Sequence, residues 1–191
     1  MVSVSKTAFW VPVGQTAVFH YLEPYRPGPK LIALGCHDRQ VLEQRVKRSR
    51  DGPFEVFPVR LGTIVFHLAL KGFEKLYGED QKRSNGSAAR YLASRDLGDR
   101  GFLVQAVSAN AKTSPHGHSK KTERFDPILG RPILRLGTPT FKEGEREIKL
   151  HVSHFVPAGI WHQLLTNSQS ALNMIEVVGP DALGMDDYVR E

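Results

Sequence analysis

The chain has 191 residues, of which 40% are hydrophobic, enough for one buried core with or without an extension. Its net charge of +6 permits anionic partners, but the basic cluster over residues 45–50 has no interleaved aromatic residues, so we expect no nucleic-acid binding. Cys36 is the only cysteine, which excludes an internal disulfide. No apolar run reaches about 18 residues and no signal-peptide pattern occurs. We therefore predict a cytoplasmic protein that does not enter a membrane.

The first 87 residues mix strand and helix patterns. Strands are predicted over residues 16–22, 30–34 and 54–59, and Asp38 can cap a helix that ends before Asp51. Apolar residues at helical spacing predict a second helix over residues 63–77, terminated by Gly78. Residues 79–87 are polar and rich in turn formers, as in a linker. We predict an α/β N-terminal extension over residues 1–87.

From residue 88 onward the pattern changes to short strands separated by turns. Strands are predicted over residues 91–93, 102–107, 133–136, 148–155 and 172–178. Glycines punctuate these segments at Gly98, Gly130, Gly137, Gly144 and Gly159. Short strands at this spacing, without an internal repeat, predict one β-sandwich or barrel over residues 88–191.

Four side chains in the barrel segment can ligate a metal ion. Alternate residues of a strand point to one face, so His116 and His118 can reach the same ion. Glu123 lies at an odd offset and faces inward only if the chain reverses over residues 119–122. Farther on, His162 follows a Pro-x-Gly tight turn at residues 157–159. We predict a metal site built from these four side chains on three strands.

The same residues resemble the two motifs of the cupin family. The first motif is Gly, five residues, His-x-His, three or four residues, Glu, six residues and Gly. The second is Pro-x-Gly-x-x-His, three residues and Asn. The chain matches at His116, His118, Glu123, Gly130, Pro157, Gly159 and His162. It departs from the motifs at two positions. Asn110 replaces the first glycine, and Thr166 stands where the second motif has asparagine, with Asn167 one position later. The resemblance implies a mainly β fold, the cupin double-stranded β-helix or jelly-roll barrel.

A cupin site of three histidines and one carboxylate implies one divalent transition metal ion with two open positions. The donor set suits Fe, Mn, Zn, Ni or Co. One implied function is an isomerase-like enzyme acting on a small polar or anionic substrate, in which a non-redox ion acidifies a C–H bond beside a carbonyl. The alternatives are an Fe(II)-dependent dioxygenase and a non-catalytic module that binds a metal or small ligand.

Other residues near the predicted ligands have predicted supporting roles. The tail over residues 175–190 is similar to the end of cupin-type mannose-6-phosphate isomerases and favours a sugar or sugar-phosphate substrate. Cations beside the barrel mouth suit a phosphate or carboxylate. Lys120, Lys121, Arg131 and Arg135 lie near the ligands in sequence, and the predicted substrate-binding residues are Lys120, Arg131 and Arg135. Candidate partners for the outer ring nitrogens of the histidines are Gln163, Asn167 and Glu176. By resemblance we predict a homodimer that binds a small-molecule substrate.

Overall fold

A computed structural model describes residues 18–20, 30–34, 40, 43–44, 47, 54–61, 64–75, 89–139 and 145–190. The chain divides into two compact units, Met1–Phe73 and Glu74–Glu191. No helix in the described part of the chain is long and apolar enough to cross a membrane. The linker predicted over residues 79–87 lies outside the described residues, so the domain boundary between residues 87 and 88 stays a prediction. Several other residues named in the sequence analysis also lie outside the described residues, and what was predicted of them stays a prediction: Cys36, Asp38, Arg45, Arg48, Arg50, Gly78 and Gly144.

The first unit contains a four-stranded antiparallel sheet. Its strands are β1 (Val18–His20), β2 (Lys30–Leu34), β3 (Glu55–Leu61) and β4 (Ile64–Lys71), in the order β1-β2-β4-β3. The first three confirm the predicted strands. Gln40, Glu43, Gln44 and Lys47 are helical, within the span of the first predicted helix.

The second predicted helix, over residues 63–77, is wrong, because most of that segment is strand β4. This strand pairs with β2 on one side and β3 on the other. Three consecutive residues, Leu68, Ala69 and Leu70, are at most 3% exposed. Consecutive residues of a strand point to opposite faces, so both faces of β4 are buried there. A short apolar run of this kind cannot be distinguished from a buried helix by its spacing alone.

The described residues of the second unit form two antiparallel sheets. The six-stranded sheet has the order β12-β9-β14-β7-β6-β5, and the five-stranded sheet has the order β11-β10-β13-β8-β15. The strands are β5 (Glu74–Lys75), β6 (Ala89–Asp96), β7 (Arg100–Val107), β8 (His116–His118), β9 (Thr122–Leu129), β10 (Ile133–Gly137), β11 (Arg146–Lys149), β12 (His154–Val156), β13 (Trp161–Leu165), β14 (Ala171–Val178) and β15 (Tyr188–Arg190). The predicted strands are confirmed, except that residues 148–155 include parts of two strands in different sheets.

Apolar side chains from both sheets pack into one core between them. The buried cluster includes Phe125 and Ile175 from the six-stranded sheet, and Leu134 and Leu164 from the five-stranded sheet. From β8 onward the chain passes repeatedly between the sheets, with β10 and β11 as the one consecutive pair in the same sheet. Two facing antiparallel sheets connected in this way form the cupin-type jelly-roll barrel that the sequence predicts.

Candidate metal centre

Strand β8 carries the first two candidate ligands, and glycine between them allows a close contact. A Cβ atom on Gly117 would lie 3.1 Å from the nearest side-chain atom of Trp161. The missing side chain therefore lets the indole pack against β8. Because Gly117 points to the opposite face of the strand, His116 and His118 share the other face, as predicted.

The predicted tight turn connects the third histidine to the same strand. Gly159 has a φ of +84°, and the Ile160 N–H donates to the Pro157 carbonyl at 3.3 Å. The Gly159 N–H also donates to the His118 carbonyl at 2.6 Å. The chain then enters β13, where His162 pairs with His116 in the antiparallel register. The turn thus places His162 directly opposite the first ligand.

Glu123 approaches from the opposite sheet. The chain leaves β8 through residues 119–121 and enters β9, which lies between β12 and β14. It therefore crosses the barrel at the predicted reversal instead of forming a hairpin with β8. Glu123 is the second residue of β9, two before the core residue Phe125 and so on the same inward face.

The four donor atoms of His116, His118, Glu123 and His162 all lie within 4.8 Å of one another. The Nε2 atoms of His116 and His162 are 3.0 Å apart. Glu123 places Oε2 2.6 Å from His162 Nε2 and Oε1 3.7 Å from His118 Nε2. The structure therefore brings together the four residues that the sequence predicts.

Burial and mutual charge shift the pKa values of these groups in different directions. Burial raises the pKa of Glu123, but the neighbouring histidines outweigh it and lower the value to about 2. Burial lowers the pKa of His116 to about 4, assisted by the charge of His162, and burial also lowers the pKa of His118. For His162 burial acts downward too, but the adjacent Glu123 carboxylate raises the pKa overall. The carboxylate is thus ionised, and two imidazoles are neutral, at neutral pH.

The donors fit a divalent transition metal ion. Glu123 Oε2 is buried and lies 2.6 Å from His162 Nε2, which is also 3.0 Å from His116 Nε2. A single Nε2–H on His162 cannot serve both Glu123 and His116. An ion would satisfy these converging lone pairs together, and a set of imidazole and carboxylate donors suits the first-row metals.

Three further residues lie beside the ligands. Tyr188 stacks on His116, with ring centroids 4.6 Å apart, and meets His118 edge-on at 5.5 Å. Asp187 Oδ2 lies 4.0 Å from His118 Nδ1. Lys121 is 2% exposed, and its Nζ donates to the Gly184 carbonyl at 2.6 Å. Sequence reasoning named Lys121 as a cation near the ligands but assigned no individual role to Asp187 or Tyr188, which belong to the tail that resembles the isomerases.

The residues predicted to support the histidines have other contacts. Gln163 donates through Nε2 to the Thr113 carbonyl at 2.7 Å. The Glu176 carboxylate accepts from Arg100 Nε at 2.5 Å and pairs with Arg124 at 2.6 Å. Asn167 is exposed. Their roles beside the ligands stay predictions.

The three predicted substrate-binding cations, unlike the neighbouring Lys121, lie outside the ligand cluster. Lys120 and Arg131 are exposed. Arg135 is half-buried and forms an ion pair with Glu147 at 2.8 Å. It lies one residue from the core residue Leu134 on β10, so it points to the opposite face. Binding of an anionic substrate by these three cations stays a prediction.

The fold and the site together define a jelly-roll barrel whose interior fits one divalent metal ion. No protein-family model matches the chain, and no curated protein matches it in sequence. CapF from Staphylococcus aureus, a capsular polysaccharide assembling protein, aligns with a TM-score of 0.49 at 15% identity, covering 61% of this chain and 34% of CapF. Oxalate oxidase gives 0.43 at 16%, covering 59% and 58%. Oxalate decarboxylase from Bacillus subtilis gives 0.43 at 12%, covering 55% and 28%.

The aligned region thus spans 28% to 58% of the length of these three proteins. At such identities and TM-scores, the fold assignment rests on the strand order and register of this chain. The activities of the three proteins are not transferred to it.

Proposed function

We propose that this protein is a metal-dependent cupin enzyme that acts on a small polar or anionic substrate. The observation that carries the proposal is the convergence of four donor atoms within 4.8 Å of one another. Three imidazoles and one carboxylate leave two positions open on a six-coordinate Fe, Mn, Zn, Ni or Co ion. Open positions are a feature of catalytic metal sites, whereas structural sites are closed by protein ligands.

A divalent ion in such a site supplies Lewis acidity that polarises a substrate oxygen. The chain itself supplies a tyrosine beside the site, because the half-buried Tyr188 ring packs against two of the ligand histidines. A phenol can both donate and accept a hydrogen bond. This ring packing supports a role for Tyr188 in holding a substrate oxygen or exchanging a proton with it.

Two lysines on the turn after the His-x-His strand support a substrate with a negative or strongly polar group. The buried ammonium of Lys121 is close enough to His118 to act on the pKa of that imidazole. Exposed Lys120 directly precedes Lys121 on the same turn. Together with the isomerase-like tail, these cations support a sugar or sugar-phosphate isomerase-like reaction as the first candidate. An Fe(II)-dependent dioxygenase and a non-catalytic metal- or ligand-binding module use the same donors and are the alternatives.

Metal content tests the proposal directly. The purified protein should bind one ion per chain when titrated with Co(II) or Zn(II), measured by elemental analysis after desalting. His116→Ala and His162→Ala should lose the ion, while His151→Ala, which changes an exposed histidine, should retain it. Unchanged metal content in the first two variants would refute the four-ligand site.

Activity assays then separate the candidate functions. With Fe(II) restored, substrate-dependent oxygen consumption supports the dioxygenase, and aldose–ketose conversion without oxygen consumption supports the isomerase. For either reaction, Tyr188→Phe removes one hydroxyl and keeps the ring against His116. We expect it to lower kcat by about 10²-fold or more if Tyr188 exchanges a proton, with metal content unchanged.

The homodimer, the cytoplasmic location and the absence of nucleic-acid and membrane binding are further parts of this proposal. They rest on the resemblance, the composition and the lack of interleaved aromatic residues in the basic cluster. Light scattering at micromolar concentration checks the dimer, and a monomeric mass would contradict it.

A further inference from the structure

The three ligand histidines are oriented in the same way. Each directs Nε2 toward the donor cluster, as the distances to Glu123 and between the rings show. The other ring nitrogen, Nδ1, faces outward. His116 Nδ1 lies 2.9 Å from the Ser114 carbonyl, and His162 Nδ1 lies 3.2 Å from the Ile160 carbonyl. Two of the three rings are therefore held by the backbone carbonyl two residues earlier.

His118 differs from the other two histidines. The residue two before it is His116, which belongs to the same extended strand. Its Nδ1 is buried and has no hydrogen-bond partner within the described residues. The side chain that faces this nitrogen is Asp187, whose Oδ2 lies 4.0 Å away.

The Asp187 carboxylate is itself held firmly. Its Oδ1 accepts from the Ser119 N–H at 2.9 Å and from the Ser119 hydroxyl, and Oδ2 accepts from the Lys120 N–H at 2.8 Å. Asp187 also directly precedes β15, which pairs with β8 so that Tyr188 lies opposite His118. Two separate connections thus fix this carboxylate beside the turn that follows the His-x-His strand.

We infer that Asp187 is a positioning residue of the metal centre, which accepts a hydrogen bond from Nδ1 of His118 and holds that ring with Nε2 toward the ion. A neutral imidazole that ligates through Nε2 carries its proton on Nδ1. A nitrogen–oxygen hydrogen bond needs a distance of about 3.2 Å or less. The His118 ring and the Asp187 carboxylate, now 4.0 Å apart, must therefore move about 1 Å closer together. This inference rests on the proposed metal site.

The inference gives Asp187 and the adjoining strand β15 a role in the metal site. A carboxylate on the outer nitrogen of a ligand histidine fixes the ring orientation and increases ligand basicity, and its removal weakens metal binding by about 10- to 100-fold. The segment from Asp187 to Arg190 thereby joins the strand that carries two ligands. We expect metal affinity to depend on a residue 69 positions after His118 in the sequence.

The chain offers a matched control for testing this role. Asp187→Asn and Asp186→Asn remove one charge each from adjacent residues, of which Asp187 is 7% exposed and Asp186 is exposed. Co(II) affinity is measured by competition with a chromophoric chelator, and Co(II) absorption reports the ligand geometry. We expect about 10- to 100-fold weaker binding and an altered spectrum for Asp187→Asn, with Asp186→Asn close to wild type.

Two further measurements separate positioning from support of the turn. Ser119→Ala removes one hydrogen bond of the turn but leaves the carboxylate facing His118, so it should lower Co(II) affinity by less than about threefold. In zinc-loaded wild type, which needs no variant, the His118 Nδ1–H proton should give a slowly exchanging NMR signal. An effect of Ser119→Ala as large as that of Asp187→Asn, or a fast-exchanging His118 proton, would overturn the inference.

The outcome also distinguishes this inference from the proposed function. Wild-type protein that binds neither Co(II) nor Zn(II) refutes the metal site itself. Wild-type protein that binds the metal, with Asp187→Asn within about twofold of Asp186→Asn, leaves the metal site standing and refutes the role of Asp187.

Discussion

Replacing Glu123 by glutamine removes the charge of the buried carboxylate while keeping its shape. In the metal-free protein the main stabilising neighbour of this charge is His162, whose Nε2 lies 2.6 Å from Glu123 Oε2. The histidines overcome the opposing effect of burial and lower the pKa of Glu123 from 4.5 to about 2. Glu123→Gln should therefore lower the free energy of unfolding at neutral pH.

The pKa values set both the magnitude and the pH range of this loss. A fall from 4.5 to about 2 corresponds to about 3 kcal/mol. A carboxyl whose folded pKa is lowered stabilises the protein fully above the unfolded pKa and loses this contribution as the pH falls through the folded pKa. The difference between wild type and Glu123→Gln should thus be at most about 3 kcal/mol at pH 7, where two of the histidines are neutral, and shrink between pH 4.5 and pH 2.

Urea unfolding followed by circular dichroism, in the presence of a chelator, measures this difference at several pH values. Glu147→Gln is the control, since Glu147 is half-exposed and pairs with Arg135 at the surface. Such a pair contributes about 0–1 kcal/mol. A loss below about 1 kcal/mol for Glu123→Gln at pH 7, or one that does not change between pH 7 and pH 3, would refute the reasoning.

Three further predictions concern protons, glycines and buried amides. His162 has a raised pKa, so zinc binding at pH 6.5 should release about half a proton or more. A heat of zinc binding that does not change with the ionisation enthalpy of the buffer would contradict this proton release. Gly130→Ala and Gly159→Ala both incur about 1–2 kcal/mol for positive φ. Of these two positions, only Gly130 would bring the new Cβ within 2.5 Å of a backbone carbonyl oxygen, so Gly130→Ala should lower the free energy of unfolding more than Gly159→Ala. Equal losses in urea unfolding would contradict this close packing. Both amide atoms of Asn173 and Oε1 of Gln105 are buried without partners in the described residues, so crystallography should show ordered water there. If Asn173→Leu raised the free energy of unfolding by more than about 1 kcal/mol, the predicted water-mediated hydrogen bonds of Asn173 would be contradicted.

The barrel strands and the metal ligands could be predicted because their signals are local. Alternation along β8 places His116 and His118 on one face whatever the rest of the fold does. The turn at Pro157 and Gly159 depends on the conformational preferences of those two residues. Both signals act over a few positions, so they survive in the sequence without knowledge of the strand order.

Strand β4 shows where local signals are insufficient. The run from Ile64 to Lys71 has apolar residues at helical spacing, yet it is the inner strand between β2 and β3. A strand buried on both faces has no polar alternation to reveal it. Its partners decide its conformation, and those partners lie elsewhere in the sequence.

Contacts across the barrel were also beyond sequence reasoning. Asp187 and Tyr188 come to the ligands because β15 pairs with β8, and Glu123 does so because β9 lies in the opposite sheet. Adjacent positions on a strand face opposite sides, which also explains why Gln163 contacts Thr113 and not the donor cluster. The sequence by itself determined the ligand types, their order and the turns that present them, because these follow from short-range stereochemistry. Only the tertiary structure decided which side chains surround the ligands, because strand pairing joins residues that are distant along the chain.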